Sequence, residues 1–267
     1  MTESTDAGTD GLVYEVRNRV AWLTLDRPHR LNALSTKLSA DIAAAAAEAT
    51  EDPDVWAVVI RGAGGRSFSV GKDLKELNQN DVTGRPPATP MIGSARNNIF
   101  ESVLEIPKPV IASIDGYCLA GGFELALACD IRIASEPSTF GMPESRIGMG
   151  GNFASVVLPR IIPRAIAAEM LYFSRRIDAR RAEQIGLVNH VVPAEEIAAY
   201  TDAFVAELMT YAPLSLRRYK EMMTKGWELP IPTALRLNVG PNPYTSADRV
   251  EGVLAFLEKR PPVWRAE

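Results

Sequence analysis

The sequence predicts an α/β fold, and three observations carry that reading. VWAVVIRG (55–62) and VIASIDG (110–116) are apolar runs ended by glycine, the pattern of buried strands. Helical segments separate the strands, and strands alternating with helices point to stacked β-α units. Beyond Phe153 the chain reads mostly as helix, which makes the C-terminal part a helical region. There is no self-similarity at a fixed period, and no low-complexity linker divides the middle of the chain.

The elements follow in order. Residues 1–10 are polar and acidic and read as a disordered leader. LVYEVRNRVAWLTLDRP (12–28) alternates in two bursts around Arg17-Asn18-Arg19, a hairpin pattern that Pro28 ends. LSTKLSADIAAAAAEATEDP (34–53) reads as a helix with Ser35 or Thr36 as N-cap and Pro53 in the loop beyond. A loop through GAGGRSFSVGKDLKEL (62–77) runs into a short helix. Residues 78–95, with GRPPATP among them, read as an exposed loop. SARNNIFESVLEI (94–106) is helical, GYCLAGGFELALACD (116–130) starts a helix at its glycine pair, and IRIAS and TFGM are short strands.

The 267 residues are 46% hydrophobic and 23% charged, the balance of a globular protein with ample material for a core. A formal net charge of −4 argues against an obligate nucleic-acid partner, which usually shows a basic excess. No apolar run approaches the roughly 20 residues of a membrane span. The N-terminus resembles neither a secretory signal nor a transit peptide, so the cytoplasm is the expected location. Cys118 and Cys129 form no C-x-x-C pair and read as buried thiols rather than a disulfide. His29 and His190 have no metal-ligand spacing and read as structural or surface groups. GAGGRS (62–67) lacks the full G-x-G-x-x-G, and no G-x-S-x-G, Walker or zinc signature is present.

Three segments carry chemistry. Gly121 and Gly122 open a helix whose first N–H groups lack intrahelical partners and whose dipole makes that end positive. Without side chains they let a ligand atom approach the backbone, which suits an oxyanion. Glu124 sits just inside that turn, either reaching an atom beside the anion or solvated at the helix end. Glu144, after Pro143, is a second glutamate on a rigid turn in apolar company, or else an exposed loop carboxylate. Gly71, before Lys72, offers another free backbone N–H. Two carboxylates in one pocket can hold a water and move its protons. Two amides from separate loops make an oxyanion hole. Spacing alone does not bring these groups together.

RPHRLNALS (27–35), FSVGKDLKE (68–76), KPVIASIDGYCLAGGFELALACDIRIAS (108–135) and FGMPESRIG (140–148) together resemble the enoyl-CoA hydratase/isomerase family, the crotonase superfamily. ARRAEQIGLVNHVVP (179–193) and FLEKR (256–260) extend the resemblance, which runs in the family's order from about residue 12 to the end. It implies a crotonase spiral of β-β-α units over 11–200 and a C-terminal helical region over 201–267 that forms a homotrimer or a hexamer. The implied substrate is an acyl-CoA thioester, with no metal or redox cofactor; the acidic charge and the lack of a long apolar run are what argue against a nucleic-acid or membrane partner. Water would add across the C2=C3 bond of a 2-enoyl-CoA to give a 3-hydroxyacyl-CoA. The thioester oxygen would take the N–H groups of Lys72 and Gly121. Glu124 and Glu144 stand where the family's hydratases keep their catalytic pair. Arg66, Val70, Lys75, Phe256 and Lys259 are the expected coenzyme A contacts, the last two from a late helix that closes over the ligand.

Two departures from the family pattern matter. Family hydratases usually continue after the second glutamate with a proline and a GAGGTQRL-like run. RIGMGGNFASVVLPRIIP (146–163) lacks that proline and reads as one residue shorter. Lys72 replaces a small residue, and its side chain is expected to pair with Asp73 or Glu76 or to reach toward the ligand. Region 78–98 and the altered loop 149–157 are expected to line the acyl pocket. An isomerase, lyase or thioester hydrolase of the same superfamily is the alternative reading, and a non-catalytic binding or assembly protein is the third.

Overall fold

The apolar runs become inner strands of a six-stranded sheet. In a computed structural model describing residues 9–84 and 98–267, this sheet has the order β1 (Gly11–Arg17), β2 (Val20–Asp26), β3 (Ala57–Gly62), β5 (Val110–Ile114), β7 (Ile131–Ser135), β10 (His190–Val192). Residues 1–8 of the expected leader and 85–97 of the expected loop and helix lie outside the described residues. Thr9 and Asp10 are held, by a bond to Asp26 and an ion pair with Arg27. β1 and β2 form the expected hairpin, turning through Asn18 and Arg19 at φ 52° and 67°, the left-handed pair that a two-residue loop requires. The other neighbours in this sheet are parallel, so the inner strands are covered on both faces and read as unbroken apolar sequence.

A second sheet consists of three-residue strands, in the order β4 (Ser67–Ser69), β6 (Tyr117–Leu119), β8 (Thr139–Gly141), β9 (Arg176–Asp178). β4, β6 and β8 run parallel, and β9 is antiparallel to β8. After the hairpin and α1 (Thr36–Glu51), each turn of the chain gives one strand to each sheet and then a helix. The turns are β3–β4–α2 (Leu74–Val82), β5–β6–α4 (Gly121–Leu127) and β7–β8–α5 (Asn152–Ile161), with α3 (Ile99–Leu104) inserted before β5. This is a crotonase spiral. Its turns differ in length, which is why no fixed period is visible in the sequence. Ser35 is the N-cap of α1, its hydroxyl accepting Leu38 N–H at 3.1 Å.

Phe68, Phe123 and Phe140 are fully buried in the main core with Leu23, Leu25 and Leu38. A smaller cluster of Trp22, Val59, Ile111 and Ile133 is completed by Ile197 and Val205 of α8 (Ile197–Leu208). The expected division at residue 200 falls inside this helix, which packs on the sheet. The chain beyond Phe153 also holds α6 (Arg164–Phe173), α7 (Ala179–Gln184), α9 (Pro213–Gly226), α10 (Ile231–Ala234) and α11 (Ala247–Glu258). The sequence reading of this part as mostly helix missed β9 and β10. Three residues are too few to show alternation, and their pairing is long-range. Cys118 and Cys129 are free and buried. His190 packs against the rings of Tyr200 and Phe204, while His29 is half exposed beside Asp10.

The segment 27–35 is organised by Asn32, fully buried at φ 55°. Its side chain accepts Arg27 N–H at 2.9 Å and donates to Ala63 O at 3.0 Å and Ser67 O at 2.7 Å. Asn32→Ala leaves these three backbone groups without their partner, at about 1–3 kcal/mol for each group left buried and unpaired. Denaturant unfolding should show a loss of about 3 kcal/mol or more. A loss too small to measure would contradict this account of the segment.

Candidate active site

Because β4, β6 and β8 are parallel neighbours, their C-terminal ends lie side by side. The residues leaving those ends are Val70-Gly71-Lys72, Ala120-Gly121 and Met142-Pro143-Glu144. These are the three segments to which the sequence assigns chemistry.

Beyond β4 the chain bridges to Leu34, whose N–H donates to Gly71 O at 2.8 Å and whose carbonyl accepts Asp73 N–H at 3.1 Å. In a parallel bridge of this kind the N–H of Lys72 points to the other side. Gly71 lies at φ 84°, and a β-carbon there would stand 2.6 Å from Gly121 N and 2.5 Å from Ala120 Cβ. The two backbones are therefore in contact. Ala120 has φ 55° and ψ −134°, a sparsely populated conformation for a residue with a side chain. Gly121 follows as the first residue of α4, where its N–H has no intrahelical acceptor.

The two glycines have different tasks. At Gly122 a β-carbon would meet Ser69 O at 2.3 Å, so glycine is required there for α4 to pack on β4. At Gly121 the nearest atom would be 3.4 Å away, an ordinary contact. Gly122 thus serves packing, and ligand access does not explain it.

Glu124 is not a solvated helix end, and Glu144 is not an exposed loop carboxylate. Glu124 is 4% exposed and Glu144 9%. Glu124 Oε1 accepts Ala154 N–H at 2.9 Å, from the start of α5. A β-carbon on Gly151 would come within 3.2 Å of the same oxygen and 2.1 Å of Met142 Cε, so the altered loop grips Glu124. Burial pushes the Glu124 carboxyl up to about 7, opposed by the Ala154 and Phe153 N–H groups and assisted by the charge of Glu144. Burial also raises the Glu144 carboxyl. Its Oε2 is buried with no hydrogen-bond partner among the described residues.

Two clefts adjoin the Pro143–Glu144 turn. One, of about 530 Å³, is lined by the expected Val70, Lys72 and Lys75, and also by Arg30, Tyr117 and Arg176. Its one acid, Asp73, is held by Arg27 at 3.1 Å and caps α2, accepting Lys75 N–H at 3.1 Å. Glu76 accepts Thr36 N–H at 3.0 Å. The Lys72 side chain therefore pairs with neither acid and lines the cleft. This cation excess suits a polyanionic ligand. The other cleft, of about 430 Å³, runs from Glu144 past Met142, Met149 and Leu171 and includes Gly150, Gly151 and Ser155 of the altered loop.

Arg66 is exposed and lines neither cleft, although its carbonyl accepts Tyr117 N–H at 3.1 Å at the edge of the first. Phe256, 82% exposed, and Lys259, the C-cap of α11, also line neither. Sequence reasoning missed the amides of Phe153 and Ala154, the strained Ala120, and the cations Arg30 and Arg176. Backbone donors leave no mark in residue identity. Arg176 stands in a three-residue strand with no readable pattern.

Residues 15–267 match the family described as enoyl-CoA hydratase/isomerase. The chain is 35% identical over 258 residues to (E)-benzylidenesuccinyl-CoA hydratase of Thauera aromatica, covering 94% of this chain and 97% of that one. It is 34% identical over 272 residues to carnitinyl-CoA dehydratase of Escherichia coli K12, covering 99% of each. Among solved structures, enoyl-CoA hydratase from Bacillus anthracis superposes with a TM-score of 0.86 at 30% identity, over 96% of this chain and 100% of that one. The enzyme from Mycobacterium tuberculosis H37Rv gives 0.85 at 30% identity, over 96% and 99%. The chain belongs to the enoyl-CoA hydratase/isomerase family, and it is an enzyme of the hydro-lyase type.

Proposed function

We propose that the protein is an enoyl-CoA hydratase, adding water across the C2=C3 bond of a 2-enoyl-CoA to give a 3-hydroxyacyl-CoA. The observation that carries this reading is the pair of buried glutamates, close enough for the charge of one to raise the carboxyl of the other. Water attacks C3 as one carboxylate takes its proton, and electron density moves through C2 to the thioester oxygen. The N–H groups of Lys72 and Gly121 hold the resulting enolate, and the second, protonated carboxyl delivers a proton to C2. Hydration is redox-neutral and amide donors polarise the thioester, so the proposal includes no metal or redox cofactor. Coenzyme A is part of the substrate.

Its phosphates fit the cation-lined cleft at Lys72, Lys75, Arg30 and Arg176. Arg66, Phe256 and Lys259 join this reading through the family resemblance. We place assembly as a trimer or hexamer in the C-terminal helices, where Trp227, Ile231, Leu235 and Tyr244 are exposed; a mass measurement in solution tests it. Two free buried thiols fit the cytoplasm. Among the described residues no helix is long and apolar enough to cross a membrane.

An isomerase of the same family can work with one carboxylate. Incubation with a 2-enoyl-CoA and with its 3-enoyl isomer, followed by mass spectrometry, separates the two. The expected result is a mass gain of one water from the 2-enoyl-CoA. Unchanged mass with a shifted retention time, from the 3-enoyl-CoA alone, overturns hydration in favour of isomerisation.

A further inference from the structure

The cleft that begins at Glu144 has an apolar wall and a charged rim. Glu144, Met142 and Ala167 are buried at its inner surface, while Tyr172 and Arg164 are exposed. Arg164 is the first residue of α6. Other arginines of the two helices around the cleft are neutralised, Arg160 by Glu228 and, just beyond α6, Arg175 by Glu169. Arg164 has no ion pair among the described residues, and the one acid lining this cleft is Glu144 at its buried end. A hydrocarbon chain laid over Met142, Met149 and Leu171 from the reacting carbons would therefore end at an unpaired guanidinium. A guanidinium matches a carboxylate with two parallel hydrogen bonds, which a terminal methyl cannot accept.

We propose that Arg164 selects acyl groups ending in a carboxylate, so that the substrate is the mono-CoA thioester of an unsaturated dicarboxylic acid. This rests on the reading of the site as an acyl-CoA hydratase. The carboxylate stays at the solvated rim, outside the buried end of the cleft where burial already disfavours negative charge on Glu144. The exposed setting bounds the effect, because surface ion pairs are weakened by solvent and salt.

The test compares 2-enoyl-CoAs of matched chain length, one series ending in methyl and the other in carboxylate. The expected result is a preference of about two- to fivefold in kcat/KM for the carboxylate series at the best length, the order of effect of a rim ion pair, shrinking as salt is added. In Arg164→Gln the ratio should approach one, and Arg164→Lys should keep part of it. Equal ratios in wild type and Arg164→Gln overturn the proposal. Binding of the corresponding saturated thioesters, measured by calorimetry, reads the same ratio without turnover. If no 2-enoyl-CoA gains water the hydratase reading fails, and the binding ratio still decides the role of Arg164.

Discussion

Replacing Glu124 or Glu144 by glutamine should lower hydration by about 10²–10⁴ in each case, the usual worth of a positioned acid or base. Glutamine keeps the shape of the side chain, and at position 124 its carbonyl can still accept the Ala154 N–H that Glu124 Oε1 accepts at 2.9 Å. What it cannot do is exchange a proton. Unchanged turnover in either variant would sink the two-carboxylate mechanism. A second readout separates chemistry from folding. The Glu124 carboxyl is raised to about 7 from an ordinary 4.5, so the folded chain binds that proton more tightly than the unfolded chain. The stabilisation is complete below about pH 4.5 and is lost as pH rises through about 7. Wild type should therefore lose stability relative to Glu124→Gln across that window, by about 3 kcal/mol. A difference independent of pH would show that Glu124 is not held as an unfavourably buried acid. The rate profile should bend in the same range and report the pair rather than either residue alone.

Gly71→Ala should lower kcat by about 10²–10³, the cost of one lost oxyanion donor. The new methyl carbon would lie 2.6 Å from Gly121 N and 2.5 Å from Ala120 Cβ, so the backbones that carry the two proposed donors must separate. The positive φ of Gly71 adds strain of its own. Gly186→Ala controls for that contribution, since Gly186 has φ 76° and nothing within 4 Å of the added carbon. It should lose stability and retain the hydration rate. Retention of activity in Gly71→Ala, with Gly186→Ala equally active, would remove the paired amides from the mechanism.

Much of the fold is legible in residue pattern. The hairpin turn at Asn18-Arg19, the Ser35 cap and the apolar runs that become β3 and β5 follow from local preferences. Strands β9 and β10 were not legible, because three residues paired to distant partners leave no local signature. Of the proposed site, both glutamates and Gly71 stand out, being carboxylates and a glycine in company that composition does not explain. Arg30 and Arg176 look like any surface arginine in sequence. Only their position at one cleft distinguishes them.

The sequence by itself determined which residues could do chemistry, since glycine beside a strand end and glutamate in an apolar turn are local choices. Whether those residues meet was decided by tertiary structure alone. Parallel pairing of β4, β6 and β8 joins segments about fifty and then twenty residues apart and aligns their C-terminal ends. Such pairing depends on the packing of whole sheets, and no spacing along the chain encodes it. The same packing turned the altered loop after Glu144 into the clamp on Glu124, through a backbone N–H that every residue except proline carries.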